Sequence, residues 1–440
     1  MSIVSAISLG CPKNLVDTEI MLGILKEQGY EITFNPEEAD MLIINTCAFL
    51  EKARKESLEV IAEFSGKYEK LIVAGCLVQL QGEKLLDEFP GIDHLIGVGK
   101  VHEIYQAIDE GKQVCLDKGQ HQHFLYPSHP SHPSHPSSSY PRIIATLPHT
   151  AYVKIADGCN NCCSYCLIPA LRGKYQSRDI DSIIKEVDSL VNVAGTREIS
   201  LIAQDITLYG MDTHERFMLP ELLKQLAAIS DNIWIRLMYT HPAHVTDELI
   251  EIMAASSNIC HYLDLPVQHI NDSILQAMNR KGSFRQIKGL IGRIRQLIPD
   301  IALRTSLIVG FPGEGEDEFK MLLDFVEETG FEHLGVFPYS KEHGTPAFDF
   351  PNQVDEMVKE ERHHLIMELQ KKVSFKKKKK KIGKILDVLV EGYIEQGMVG
   401  RSQYEAPEID GAIYLKGRYQ KIGEIVPVEI IAATEYDLVG

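Results

Sequence analysis

Cys159-Asn160-Asn161-Cys162-Cys163-Ser164-Tyr165-Cys166 sets four thiols within eight residues of a 440-residue chain. Taken as Cys159, Cys163 and Cys166, the spacing is C-x3-C-x2-C. Isolated cysteines often act as small buried hydrophobes, but this group is flanked by Asn, Ser and Gly. The Met1-Ser2-Ile3-Val4 start carries no basic leader, so the expectation is a cytoplasmic protein whose thiols stay reduced. A structural zinc wants four protein ligands in a closed site. Three close thiolates with no evident fourth ligand suit an iron–sulfur cluster that leaves one iron open. An open iron accepts a substrate or cofactor, so the spacing points to catalysis as well as electron storage.

The motif, with aromatic Tyr165 just before the last cysteine, resembles the radical S-adenosylmethionine (radical SAM) superfamily. The resemblance implies that Cys159, Cys163 and Cys166 hold a [4Fe–4S] cluster whose open iron chelates the methionine moiety of SAM. It does not by itself name the reaction. Cys162 departs from the pattern, since a basic residue usually stands there; the spacing is complete without it, and it reads as inert.

Upstream, three apolar runs end on cysteine. Ile3–Leu9 leads to Cys11, Met41–Ile44 to Cys47, and Leu71–Ala74 to Cys76. Each has strand length and β-branched content. Helical patterns separate them, with Val16, Ile20 and Ile24 in one and residues 53–64 in another. Strands alternating with helices imply a parallel sheet, whose strands end along one ligand-binding edge. Cys11, Cys47 and Cys76 are then expected to converge although 36 and 29 residues separate them. The competing reading is three unrelated cysteines in buried strands. Ser8-Leu9-Gly10-Cys11-Pro12-Lys13-Asn14, Asn45-Thr46-Cys47 and Ala74-Gly75-Cys76-Leu77 are similar to the N-terminal domain of the methylthiotransferase family, and the resemblance then runs nearly end to end. It implies a second [4Fe–4S] cluster on these three cysteines, facing one cavity with the first. Pro12-Lys13-Asn14 resembles the branch that modifies a ribosomal protein; the tRNA branch usually has Gln-Met-Asn there.

The predicted fold is α/β. It has an N-terminal parallel α/β domain (1–120), a low-complexity linker (121–144), a central open (βα) barrel (145–375) and a small C-terminal β-barrel (376–440). Ser-His-Pro repeats at Ser128, Ser131 and Ser134 mark the linker as an extended, solvated segment. Strands are expected at 152–156, 199–203, 233–238, 262–265, 303–309 and 333–337, which puts the cysteine loop on the barrel's C-terminal face. Other strand ends feed that face. Gly310-Phe311-Pro312-Gly313-Glu314 is a wall for the SAM nucleoside by resemblance, or a plain Pro-Gly turn. Gln204-Asp205 ends another strand; Asp205 binds a ribose hydroxyl or the methionine ammonium, or caps a helix. Arg236 and Arg304 lie within strands, where an interior charge needs a partner. That partner is a carboxylate of cofactor or substrate, or of the scaffold itself. Tyr165, Gln204, Asp205, Arg236, Arg304, Gly310, Gly313 and Glu314 are thus the candidate cofactor contacts. Cys115 and Cys260 read as structural.

Residues 356–372 have helical character, and the basic run Lys376–Lys381 reads as a solvated face. Beyond Gly383 short strands resemble the TRAM barrel that ends methylthiotransferases. Residues 383–440 hold five Lys and Arg against ten Asp and Glu, and the whole chain carries −17. That balance disfavours non-specific nucleic-acid binding and suits a basic protein partner. No run of eighteen apolar residues signals a membrane span.

The resemblance implies transfer of a methylthio group to an aspartate β-carbon of small-subunit ribosomal protein S-twelve, by a monomer drawing electrons from a flavodoxin or ferredoxin. Two other readings are open. One is the same chemistry on a tRNA adenosine, against which the acidic C-terminal barrel speaks. The other is a non-catalytic iron–sulfur carrier, which needs no SAM-binding barrel.

Overall fold

The computed structural model describes residues 2–111, 113–116, 141–395, 397–416 and 420–440. The Ser-His-Pro segment lies outside the described residues. Among the described residues three six-stranded sheets follow one another along the chain.

The first holds β1 (Ile3–Ser8), β2 (Glu31–Ile32), β3 (Met41–Thr46), β4 (Lys70–Gly75), β5 (His94–Gly97) and β6 (Val114–Cys115), in the order β2-β1-β3-β4-β5-β6. Every pair is parallel. The strands β3 and β4 are buried along almost their whole length, as expected of a sheet covered on both faces.

The second sheet contains β7 (Thr150–Lys154), β10 (Glu198–Ile202), β11 (Trp234–Leu237), β12 (Ile259–Asp264), β13 (Ala302–Val309) and β14 (His333–Pro338). They run parallel in sequence order, each neighbour paired to the next. Each expected barrel strand is found within a few residues of its place. Leu201, Ile235, Leu263 and Leu303 share one apolar core with the surrounding helices. Alternate residues Tyr152, Trp234 and Tyr262 face another core with Val16 and Ile20 of the first domain and Leu389 and Ala406 of the third. Period-two alternation along the strands therefore splits the barrel between its own helices and its two neighbours. A short ribbon, β8 (Ala156–Asp157) against β9 (Gln176–Ser177), pinches the base of the cysteine loop.

The third sheet is built from β15 (Ile385–Ile394), β16 (Gly397–Ser402), β17 (Ile413–Leu415), β18 (Ile425–Glu429), β19 (Ala432–Ala433) and β20 (Leu438–Val439). All its pairs are antiparallel except β17 with β20. The helix leading into it, Glu356–Lys379, continues into the basic run. That run is not a uniformly solvated face. Lys377 pairs with Glu332 at 2.6 Å, buried Lys378 reaches Glu405 at 3.3 Å, and the Lys381 ammonium lies over the Tyr404 ring. Among the described residues no helix is long and apolar enough to cross a membrane.

Charge ties the third sheet to the barrel. Glu198 is fully buried between Arg236 at 2.6 Å and Arg401 at 2.7 Å. Burial alone raises a carboxyl, but the two guanidinium groups outweigh it and bring Glu198 from 4.5 to about 2. Its stabilisation is therefore complete above the unfolded value and is lost as pH falls from there through 2. Glu198→Gln leaves buried Arg236 without a carboxylate, while Arg401 keeps Glu391 at 2.6 Å, and is expected to cost about 3–5 kcal/mol at neutral pH. Urea unfolding across that acid window should show a shallower pH slope for the variant than for the parent. An unchanged slope would remove Glu198 from the acid transition.

Candidate active site

The loop 158–175 carries the cysteine motif from the end of β8 back to β9. Gly158 sits at φ +76°, and a Cβ there would stand 2.1 Å from the Lys174 carbonyl oxygen, so only glycine permits the turn. Backbone bonds then strap the loop down. The Cys159 amide donates to Gly173 O, and the Ser164 amide to Met278 O. The Asn279 amide nitrogen donates to Cys162 O at 2.7 Å. Two thiols receive backbone N–H groups at 3.4 Å, Cys159 from Asn161 and Cys166 from Ile168. Cys163 is buried, whereas Cys162 points outward and is exposed.

Cys11, Cys47 and Cys76 follow β1, β3 and β4, which are adjacent in the first sheet. They converge as the topology requires. A Cβ on Gly10 would stand 2.9 Å from Cys47 Sγ, and Cys76 Sγ lies 3.9 Å from Asn14 Oδ1. Cys11 caps the helix Pro12–Glu27. Burial raises the Cys11 thiol, but Lys13 and Arg172 outweigh burial and lower it. Burial raises Cys47 and pushes Cys76 up to about 12. It likewise lifts Cys159 to about 11 and Cys166 to about 12.

A buried polar network joins the two cysteine sets. Asp157 precedes Gly158 and is bonded by Arg172 at 2.9 Å, by Lys154 at 3.0 Å, and by Gln204 and the Gly158 amide at 2.8 Å. Arg172 also donates to Asn14 Oδ1 at 2.5 Å and Asp17 at 3.3 Å, and Lys154 is bonded to Asp17. Leu167 and Leu171, which follow the motif, pack in one apolar cluster with Cys76. Burial favours the neutral Asp157 acid, yet Arg172 and Lys154 hold its carboxyl well below the usual carboxylate range.

Of the candidate cofactor contacts, most gather here. The Tyr165 ring stands edge-on to Phe311 at 6.5 Å. Gln204 is held by Asp157. The Asp205 carboxylate accepts from Asn161 at 2.8 Å and from His244 Nδ1 at 2.8 Å, and also caps Thr207. Glu314 turns inward: it accepts from the Gly310 amide at 2.9 Å and from Arg362 at 2.9 Å, bracing its own loop. Gly313 has no heavy atom within 4 Å of its would-be Cβ, so that corner of the loop faces open space. Arg236 and Arg304 are not brought to the cysteine loop. Arg236 donates to Gln403 O at 2.8 Å besides pairing with Glu198, and Arg304 pairs with Asp410 at 3.1 Å. Both interior arginines thus take scaffold carboxylates as partners, and both knit the barrel to the third sheet.

Sequence reading missed Asp157, Arg172, Asn161, Arg280 and Lys13. Arg280 is half-buried with Nη1 3.9 Å from Cys163 Sγ. Proximity to the motif was a usable signal for Asp157 and Asn161. Arg172 and Lys13 act across the domain boundary and leave no local mark.

Comparison with known proteins follows the same three units. Residues 4–97 match the profile described as "Uncharacterized protein family UPF0004", residues 153–326 the radical SAM superfamily, and residues 382–440 the TRAM domain. "Ribosomal protein uS12 methylthiotransferase RimO" of Trichlorobacter lovleyi is 45% identical, covering 99% of this chain and 97% of its own. The RimO proteins of Geobacter sulfurreducens and Desulforamulus reducens are each 46% identical, over 99% and 100% of this chain and 98% and 99% of theirs. This chain belongs to the RimO family. RimO proteins are radical SAM methylthiotransferases, and membership of the superfamily implies a [4Fe–4S] cluster and SAM. Among solved structures, the radical SAM methyltransferase TsrM from Kitasatospora setae matches with TM-score 0.57 at 15% identity, covering 79% of this chain and 77% of that one. The cobalamin-dependent SAM radical enzyme OxsB matches with TM-score 0.51 at 13% identity, covering 82% of this chain and 56% of that one. These two likenesses concern the fold alone.

The donor set fits the group that the RimO family implies. All nine cysteines are free of disulfides, the motif thiols already accept backbone N–H groups, and buried thiols are good ligands once a metal replaces their protons. In the metal-free chain, iodoacetamide at neutral pH should alkylate exposed Cys162 first and buried Cys76 and Cys260, both pushed up to about 12, last, because reaction needs an accessible thiolate. Peptide mass mapping reads the order. Labelling of Cys76 as fast as Cys162 would contradict it.

Proposed function

We propose that this chain methylthiolates the β-carbon of an aspartate in ribosomal protein uS12. The observation that carries the reading is 45–46% identity to RimO proteins across nearly the whole chain, supported by the hydrogen-bond network that links the segments bearing the two cysteine trios. In this reading Cys159, Cys163 and Cys166 hold the cluster that engages SAM, and Cys11, Cys47 and Cys76 hold a second [4Fe–4S] cluster. Tyr165, Gln204, Asp205 and the Gly310–Glu314 loop surround the SAM site. The aspartate β-hydrogen is not acidic enough for a side-chain base, so the chemistry comes from cofactors: when bound, they supply a 5′-deoxyadenosyl radical to remove that hydrogen and methylated sulfur to replace it.

The chain's own residues supply position. Asp157 orients the start of the SAM-side loop, and Arg172 fixes that loop against Asn14 beside the other trio. Gly158 lets the loop leave the barrel at a sharp angle. The overall charge of −17, and the acidic balance of the third domain, support a basic protein substrate over tRNA. Electrons come from a flavodoxin- or ferredoxin-type donor, and the working form is a cytoplasmic monomer organised as the domains 1–120, 145–375 and 376–440.

Reconstituted protein with SAM and a low-potential reductant should form 5′-deoxyadenosine and add the mass of one methylthio group, less a hydrogen, to uS12. Modified tRNA with unmodified uS12 would reverse the substrate assignment, and absence of 5′-deoxyadenosine would remove the radical reading. Replacing Cys11, Cys47 and Cys76 with Ala should abolish methylthiolation while 5′-deoxyadenosine still forms. Methylthiolated uS12 from that variant would reject sulfur delivery by the N-terminal trio.

A further inference from the structure

Lys13 is a buried cation with no carboxylate partner. Its residue is 7% exposed. Among the described residues its ammonium makes a single polar contact, 3.5 Å from Ala203 O, at the outer limit of hydrogen-bond geometry. It also lies 3.3 Å from the centroid of the Tyr239 ring. No ion pair to it occurs among the described residues, although its neighbours Lys154 and Arg172 are each paired with aspartates. Cys11, Asp157 and Asp264 act on it only at range; Cys11 belongs to the N-terminal trio, and both carboxylates have contacts of their own. Asp157 serves Arg172 and Lys154; Asp264 accepts from the Tyr239 amide at 3.0 Å through Oδ2, and its Oδ1 faces Arg304 at 3.7 Å without a hydrogen bond. A buried cation without a direct anionic contact is costly, and a ligand carboxylate would complete it.

Its location says which ligand. Ala203 and Tyr239 follow β10 and β11, on the barrel edge where the cysteine loop also lies. Lys13 itself stands two residues after Cys11. The ammonium therefore reaches from the N-terminal trio to the ends of β10 and β11, the barrel edge that also carries the cysteine loop. Tyr239 beneath it has φ +63°, an outlier for a bulky residue, held by its amide bond to Asp264 and by its carbonyl bond from the Ile206 amide. The ring is thus fixed in position under the ammonium.

We propose that Lys13 is a specificity-determining residue that binds the side-chain carboxylate of the substrate aspartate and so presents its β-carbon between the two cysteine sets. The inference rests on the proposed function and adds the group that distinguishes aspartate from asparagine. Neutral asparagine leaves the ammonium unpaired, and truncating one side of a buried charge pair costs enough to slow the reaction about 100-fold.

The test uses the reconstituted full-length chain and two peptides spanning the uS12 target, one with Asp and one with Asn at the modified position. Parent and variants Lys13→Met, Lys13→Gln and Lys13→Arg are compared by kcat/KM for methylthiolation and, without reductant, by peptide affinity. The parent should prefer Asp about 100-fold. In Lys13→Met and Lys13→Gln the Asp-to-Asn ratio should fall toward one in both readouts, while Lys13→Arg keeps Asp ahead. A purely structural or cluster-tuning role would depress both peptides alike and leave the ratio intact, and that result overturns the inference while the proposed function stands. Should Lys13→Met not fold, judged by its melting transition, the ratios of Lys13→Gln and Lys13→Arg decide. A parent that modifies neither peptide nor whole uS12 overturns the proposed function and this inference together.

Discussion

The buried Asp157 carboxylate constrains everything around it. Four groups converge on it: the Arg172 guanidinium, the Lys154 ammonium, the Gln204 amide and the Gly158 backbone N–H. Arg172 and Lys154 both continue to Asp17, and Arg172 to Asn14, in the first domain. A network of this kind contributes less to net stability than apolar packing of equal volume. Its consequence is positional. Hydrogen bonds have direction, so the loop bearing Cys159, Cys163 and Cys166 and the helix that starts at Cys11 are held in one relative placement.

The barrel is charged at two levels, and the two serve different ends. At the cysteine edge lie Asp157, Asp205, Arg280 and Lys13. On its other interior layer Arg236 and Arg304 meet Glu198 and Asp410, and Arg401 of the third sheet completes the Glu198 pair. Segment 402–410 thereby packs against the barrel strands. An interior arginine in a radical SAM barrel is thus no sign of a cofactor contact when a neighbouring domain offers a carboxylate of its own.

Local features of the chain were sufficient for the architecture. Strand-length apolar runs alternating with helical periodicity specify parallel sheets. The C-terminal change to short strands separated by glycine specifies a different texture. Because parallel strands end along one edge, three cysteines at the ends of β1, β3 and β4 had to converge once those strands became neighbours. The eight-residue motif carries its spacing within itself, so it too was legible without coordinates.

Contacts between distant residues were not legible. Arg172 and Asn14 are 158 positions apart and Arg401 and Glu198 203. Periodicity and motif spacing report on neighbours within a few turns or strand steps, whereas an ion pair depends on where two whole domains dock. Lys13 illustrates the division. The sequence by itself determined that a lysine stands two places after a strand-end cysteine on a new helix. Only tertiary structure decided that this lysine would be buried over Tyr239 with no carboxylate to meet it, because only the docked barrel excludes water from its ammonium.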